Sequence, residues 1–252
     1  MTDAHNHLQD SRFDDIRNQV IAEMITIGVT RCVVNGTAPA DWPKVAELAQ
    51  SHPNLIIPSF GLHPWKNPTA SWLDQLIHYL DTVPNACIGE CGLDRWMRDY
   101  DIDLQTEIFI AQLILAEKRN LPLSIHCLKA WGHLIDILES HPLPKRGFLL
   151  HSYGGSAELV PRLVKLGAYF SFSGYLLHER KQSVRDAFKL VPPDRLLIET
   201  DAPDMLPPDS AISHVLADGI NHPANICAIH ESASSFLDTS MVTGNFDRLF
   251  EE

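Results

Sequence analysis

The sequence predicts an α/β chain folded as a (β/α)8 barrel, and three observations predict it. Eight short apolar runs recur along the 252 residues, near 2–7, 30–35, 55–61, 86–91, 122–127, 147–152, 168–172 and 195–201. Longer amphipathic stretches separate them, and that alternation builds a parallel sheet covered by helices. Titratable residues stand at the C-terminal ends of six of the runs, which in a barrel open onto one common mouth. A doubly wound sheet is the rival architecture.

The runs themselves are nearly continuous in apolar residues, the pattern of parallel strands buried on both faces. Between the first two, 14–27 is helical in pattern, with Ile16, Val20, Met24 and Ile27 on one side. Helical stretches follow at 41–50, 71–80, 103–119, 131–139, 156–166 and 180–190, and two more, 223–235 and 242–250, close the chain as extra C-terminal helices. Pro53, Pro84, Pro122, Gly147, Gly167 and the Pro192–Pro193 pair punctuate the joints, where they break helices or open strands. Segment 202–222 is rich in Pro, Asp and Ser and reads as a long loop, a lid or a substrate-contacting segment. One domain is expected over 1–252.

Composition narrows the classes. Hydrophobic residues make up 45% of the chain, enough for a core without disulfides or structural metals. Met1 is followed at once by Thr-Asp-Ala-His, which is no signal peptide. No apolar run nears the roughly 20 residues that span a bilayer. The five cysteines are scattered, as in a reducing compartment. A cytoplasmic protein with no membrane association and no obligate protein partner is expected. The formal charge is −12, and between Leu196 and Asp247 there is no Lys or Arg but eight acids. That is the wrong sign for holding a polyanion by surface charge. Bound divalent cations would reverse it locally.

The chemistry sits at the strand ends. The first run carries His5 and His7, the third His63, the fourth Glu90, the fifth His126, the sixth His151 and the eighth Asp201. His5 and His7, two apart, share one face of a strand. A strand-end histidine taken alone most often bonds a neighbouring loop, but six positions in step with the strand count point to one site. Mixed imidazole and carboxylate donors suit Zn²⁺, Mn²⁺, Fe²⁺ or Ni²⁺ better than an all-oxygen Mg²⁺ or Ca²⁺ site. Asp94 and Glu199 stand where they could support these ligands. Lys129 and Arg95 could touch a phosphate; Trp65 and Tyr153 could stack on a base, though such rings more often pack in the core or on the surface. His133, His141, His178 and His230 fall in or beside helices and read as incidental. No P-loop, G-x-G-x-x-G or G-x-S-x-G is present, which leaves phosphate-loop NTPases, dinucleotide enzymes and serine hydrolases unsupported.

The motifs D-A-H-N-H-L (3–8), G-L-H-P (61–64), I-G-E-C-G-L-D (88–94), S-I-H-C (124–127), L-H-S-Y-G-G (150–155), F-S-G (172–174) and L-I-E-T-D-A-P (197–203) together resemble the TatD family of metal-dependent deoxyribonucleases, within the amidohydrolase superfamily. The resemblance runs over roughly 2–235. It implies two divalent metal ions, with Zn, Mn, Mg, Fe and Ni all open. His5, His7 and Asp201 would hold one, His126 and His151 the other, and Glu90 would bridge them. It implies hydrolysis of phosphodiester bonds in DNA, as an exonuclease, by a metal-activated water. Asp201 would take the proton of that water, and His63 would face the phosphate or the leaving group. One departure stands out. Where the family carries a segment close to Arg-Asn-Glu-Pro, this chain has Ile220, Asn221, His222 and Pro223. The same cage could instead serve a small-molecule ester, lactone, amide or phosphoester, a reading the acidic C-terminal third favours. A non-enzymatic interaction protein is the third reading, and the complete ligand set argues against it.

Overall fold

The computed structural model describes residues 1–251. The apolar runs form eight strands: β1 (Thr2–Asn6), β2 (Arg31–Asn35), β3 (Ile56–Phe60), β4 (Cys87–Asp94), β5 (Leu123–Leu128), β6 (Phe148–Leu150), β7 (Ala168–Ser173) and β8 (Leu196–Glu199). They pair in parallel and in sequence order, β1 to β8. That order excludes the doubly wound alternative, whose strand order reverses at a switch point. The circle closes between the first and last strands. Asp201 N donates to His5 O at 2.9 Å and His7 N to Ala202 O at 2.7 Å. The buried Asp3 carboxylate accepts from Thr200 N at 2.9 Å and Thr200 Oγ1 at 2.6 Å.

Helices fall where the patterns place them, within a few residues. They are α1 (Arg17–Thr26), α2 (Trp42–Ser51), α3 (Trp72–Thr82), α4 (Ile102–Arg119), α5 (Trp131–Ser140), α6 (Val160–Lys165), α7 (Gln182–Phe188), α8 (Ile226–Ser234) and α9 (Val242–Phe250). α4 illustrates the local logic. Asp101 caps it by accepting from Leu104 N at 3.0 Å, Lys118 and Arg119 lie in its last turn, and Asn120 ends it in a left-handed conformation. These are favourable interactions at each end of the helix dipole. The sixth and seventh helices are shorter than expected because their opening residues wind as 3-10 turns, and the first because 14–16 form a turn. α9 plugs the barrel floor: its Phe246, Leu249 and Phe250 pack with Val33, Ile57, Leu149, Tyr169 and Leu197.

Two strands depart from regular pairing, and both departures sit at the mouth. On β1, Asp3 to Asn6 runs against Cys32 to Val34 of β2. On β4, Ile88 to Cys91 runs against Leu123 to Ile125 of β5. Each strand therefore carries one extra residue there, a bulge that re-aims side chains. The bulges fall at His5 and at Glu90. Just beyond the second, Gly92 pairs with His126 at a positive φ of 144°. A Cβ there would lie 2.0 Å from the His126 carbonyl oxygen, so only glycine lets β4 and β5 approach this closely.

The 202–222 loop is tied down at several points. Arg12 forms a two-armed pair with Asp204, at 2.9 and 2.8 Å. His178 Nε2 donates to Leu206 O at 3.1 Å, and Asn221 Nδ2 donates to Thr200 O at 2.9 Å. Among the described residues no helix is long and apolar enough to cross a membrane.

Candidate metal centre

Glu90 occupies the middle of the mouth. The β4 bulge carries it there, and its backbone N–H is anchored to Gly36 O at 3.0 Å. Its two carboxylate oxygens face different histidines. Oε2 lies 3.4 Å from His5 Nε2 and 3.3 Å from His7 Nε2. Oε1 lies 3.0 Å from His126 Nδ1, 2.8 Å from His151 Nε2 and 3.2 Å from His63 Nε2. Asp201 Oδ1 joins the first group, 3.6 Å from His5 and 3.4 Å from His7. All seven sequence-predicted site residues thus come together. β6 ends one residue before His151 and β8 two residues before Asp201, so these two side chains come from the loops just above their strands.

The outer nitrogens decide what the inner ones can do. His7 Nδ1 lies 2.7 Å from Asn35 O, and a carbonyl only accepts, so the proton is on Nδ1. His126 Nε2 lies 2.9 Å from Asp94 Oδ2, which fixes its proton the same way. When the inner nitrogen carries no proton, each ring turns a lone pair inward. The inward nitrogens approach each other, at 3.3 Å for His5 and His7 and 3.2 Å for His126 and His151. Two lone pairs at that distance repel unless a proton or a cation lies between them. Lone pairs converging on a shared carboxylate are the donor set of a divalent metal site. Three triads are close-set enough to hold an ion: His5–His7–Glu90, His63–Glu90–His126 and His5–His151–Glu199. The second includes His63, but its Nδ1 accepts from Trp65 N at 3.1 Å, so its neutral ring turns an N–H rather than a lone pair toward Glu90.

The electrostatics show that the carboxylates draw positive charge into this cluster, whether as a proton or as a cation. Burial opposes charge on Glu90, yet the surrounding histidines hold its pKa well below the usual carboxylate range. Burial also opposes charge on His7, but Asp201 and Glu90 raise it well above the usual imidazole value. His63 goes the other way, pushed down to about 4 by burial despite Glu90. Burial works to raise Asp94, but hydrogen bonds from His126, Trp65 and Trp96 N hold it at about 2. A permanently ionised Asp94 is a firm partner for His126.

Supporting residues divide into those anticipated and those not. Asp94 bonds His126 as expected. Glu199 is fully buried with neither oxygen hydrogen-bonded among the described residues, and it lies 3.5 Å from His151 Nδ1. Ser124 Oγ, 2.7 Å from His5 Nδ1, and the Asn35 carbonyl were not singled out from sequence. Nor was Asp3, whose burial pushes it up to about 7. Its place two residues before His5, on the same strand, was the available signal. Tyr153 takes the packing role. It is fully buried and donates to Ser156 O at 2.7 Å, because its ring completes an aromatic cluster with Trp131 and Phe170. It cannot stack on a base, whereas Trp65 is 48% exposed. His222, in the segment that departs from the family pattern, turns away from the centre and pairs with Glu23 of α1 at 3.0 Å.

Comparison with known proteins accords with this geometry. A family model described as TatD related DNase matches residues 2–251. A protein of Erwinia tasmaniensis named 3'-5' ssDNA/RNA exonuclease TatD is 34% identical over 216 residues, which cover 83% of this chain and 82% of that one. An uncharacterized metal-dependent hydrolase of Bacillus subtilis, YabD, is 29% identical over 259 residues and 98% of each chain. The crystal structure of YJJV, a TatD homolog from Escherichia coli, superposes with a TM-score of 0.88 at 25% identity, covering 100% of this chain and 98% of the other. Sequence, fold and the converging histidines therefore agree that this chain belongs to the TatD related DNase family.

Proposed function

We propose that the protein is a two-metal exonuclease that trims single-stranded DNA or RNA from the 3' end. The proposed ligands are His5, His7, Glu90, His126, His151 and Asp201. The observation that carries the reading is the division of Glu90, one oxygen toward each histidine pair, as a bridging carboxylate requires. The names of relatives such as the Erwinia protein supply the substrate class and the polarity.

When bound, two divalent cations neutralise phosphoryl oxygens and acidify the attacking water. The chain's own residues do the rest. Glu90 sets the spacing of the two histidine pairs. Asp201, beside His5 and His7 at the open end of β8, accepts the proton of the water. His63, held neutral near pH 7 by burial, completes the wall opposite Asp201. Its Nδ1 accepts from Trp65 N at 3.1 Å, leaving Nε2 to face the centre.

The direct test is degradation of end-labelled single-stranded oligonucleotides with Mg²⁺, Mn²⁺ or Zn²⁺, beside a panel of small esters and lactones. Release of mononucleotides from the 3' end is expected. Turnover of a small ester or lactone far above that of any oligonucleotide would replace this reading with the small-molecule one. The acid-only stretch from Leu196 to Asp247 is the feature that favours that second reading.

Asp94→Asn gives a prediction that depends on the proposed ligand roles. An amide can turn its NH₂ toward His126 Nε2 and favour the wrong tautomer. Metal affinity is expected to fall by about 10- to 100-fold, read by calorimetric titration. An unchanged affinity would remove Asp94 from the support of the site.

A further inference from the structure

Beside the metal centre, the mouth carries an exposed aromatic and cationic strip. Trp65, on the loop after β3, and Trp96, on the loop after β4, are 48% and 60% exposed. Large aromatic side chains are seldom left in water without a partner to cover them. These two are also held in place. Asp94 Oδ2 accepts from Trp65 Nε1 at 2.8 Å as well as from His126, and Asp94 Oδ1 accepts from Trp96 N at 2.6 Å and Met97 N at 3.2 Å. One carboxylate therefore fixes both tryptophan-bearing loops and a proposed metal ligand. The Trp65 ring lies 5.0 Å from that of His63 and 6.0 Å from that of His126, so its indole borders the centre directly.

The charge around these rings differs from that of the chain as a whole. Lys66, Arg95, Arg98 and Lys129 stand on the loops after β3, β4 and β5, all exposed. Elsewhere Arg12, Arg119 and Arg162 each hold a carboxylate, whereas these four hold none among the described residues. Of the two acids between Arg98 and α4, Asp101 is turned to cap the helix. The opposite rim, 202–222, has Asp204, Asp209 and Asp218 and no basic residue. The net charge of −12 thus conceals a mouth that is basic and aromatic on one side and acidic on the other.

We propose that Trp65 and Trp96 form a stacking platform for the unpaired bases of the substrate strand, with Lys66, Arg95, Arg98 and Lys129 following its phosphates. This rests on the nuclease reading and specifies which side of the mouth the strand crosses. The platform selects for unpaired bases, because a base inside a duplex has no free face to offer. It places the nucleotides next to the cleaved bond over β3 to β5, away from the acidic rim.

The test compares an oligothymidylate with an abasic strand of the same length, both single-stranded, with Mn²⁺ and the full-length protein. The wild type is expected to prefer the base-bearing strand, with a lower KM. Trp96→Ala is expected to raise the KM for that strand by roughly tenfold and to shrink the preference toward unity. The Trp96 indole makes no hydrogen bond among the described residues, so its loss leaves Asp94 and the fold in place. Trp65→Ala is expected to do the same, and Trp65→Phe to restore most of the preference by returning a ring. An undiminished preference in both alanine variants overturns the platform. A wild-type protein that cleaves neither strand overturns the nuclease reading beneath it, and the wild-type rate alone separates the two outcomes.

Discussion

Glu90→Gln is expected to lower oligonucleotide turnover by about 10³-fold and to strip the purified protein of most of its metal. The substitution keeps the volume, so the barrel mouth should remain packed. It removes the only acid among the described residues whose two oxygens reach both histidine pairs, at 3.3 and 3.4 Å on one side and 2.8 and 3.0 Å on the other. A glutamine must present its NH₂ to one of these pairs. It would then place a donor against nitrogens that Asn35 O and Asp94 have oriented as acceptors. One half of the site loses a ligand and gains a repulsion. Elemental analysis alongside the rate checks the claim. A Glu90→Gln protein with wild-type metal content and wild-type rate would leave Glu90 no bridging role.

Asp201→Asn should cost about 10²- to 10⁴-fold in kcat, the usual range for a lost general base. The backbone tolerates the change. Asp201 sits at a positive φ of 53°, a conformation asparagine adopts as readily as aspartate. Burial acts against its charge, but His7, His151 and His5 hold its pKa below the usual carboxylate value. A depressed carboxylate is ionised across the neutral range and loses its function only as pH falls toward that lowered pKa. The wild-type rate should therefore fall on the acid side, and that limb should be missing from the variant's profile at saturating metal. An Asn variant that keeps both the rate and the acid limb would assign the proton to another group.

The barrel and the convergence of the site residues were legible because both follow simple periodicities. Strand ends are visible as apolar runs that stop at a polar residue, and in a parallel barrel all of them face one way. His126 and His151 needed nothing more. What could not be read depends on departures from period. Regular alternation would not aim Glu90 where it sits; the bulge before Cys91 does, and a bulge has no sequence signature here beyond a glycine on either side. The orientation of His7 by a backbone carbonyl is equally silent in sequence, since every residue has one. Tyr153 was left open between stacking and packing because strand-end position does not distinguish a ring pointing out of the mouth from one folded under the next helix. The charge count has a similar limit. A linear count sees the acidic C-terminal third, whereas the loops above β3 to β5 carry Lys66, Arg95, Arg98 and Lys129 with no paired carboxylate among the described residues.

The seam between β1 and β8 also has a consequence for how the protein is made. His5 accepts from Asp201 N, and His7 donates to Ala202 O, so the first ligands to be synthesised are joined to the last. At roughly 5–20 residues per second, about 10–40 s separate their emergence from the ribosome. Throughout that interval β1 has β2 on one side but lacks β8 on the other. A product truncated between His151 and β8 keeps five of the six proposed ligands but has neither Asp201 nor a closed circle. Translation that stops short of β8 is therefore expected to release no partial nuclease, because the last proposed ligand and the closing seam arrive together.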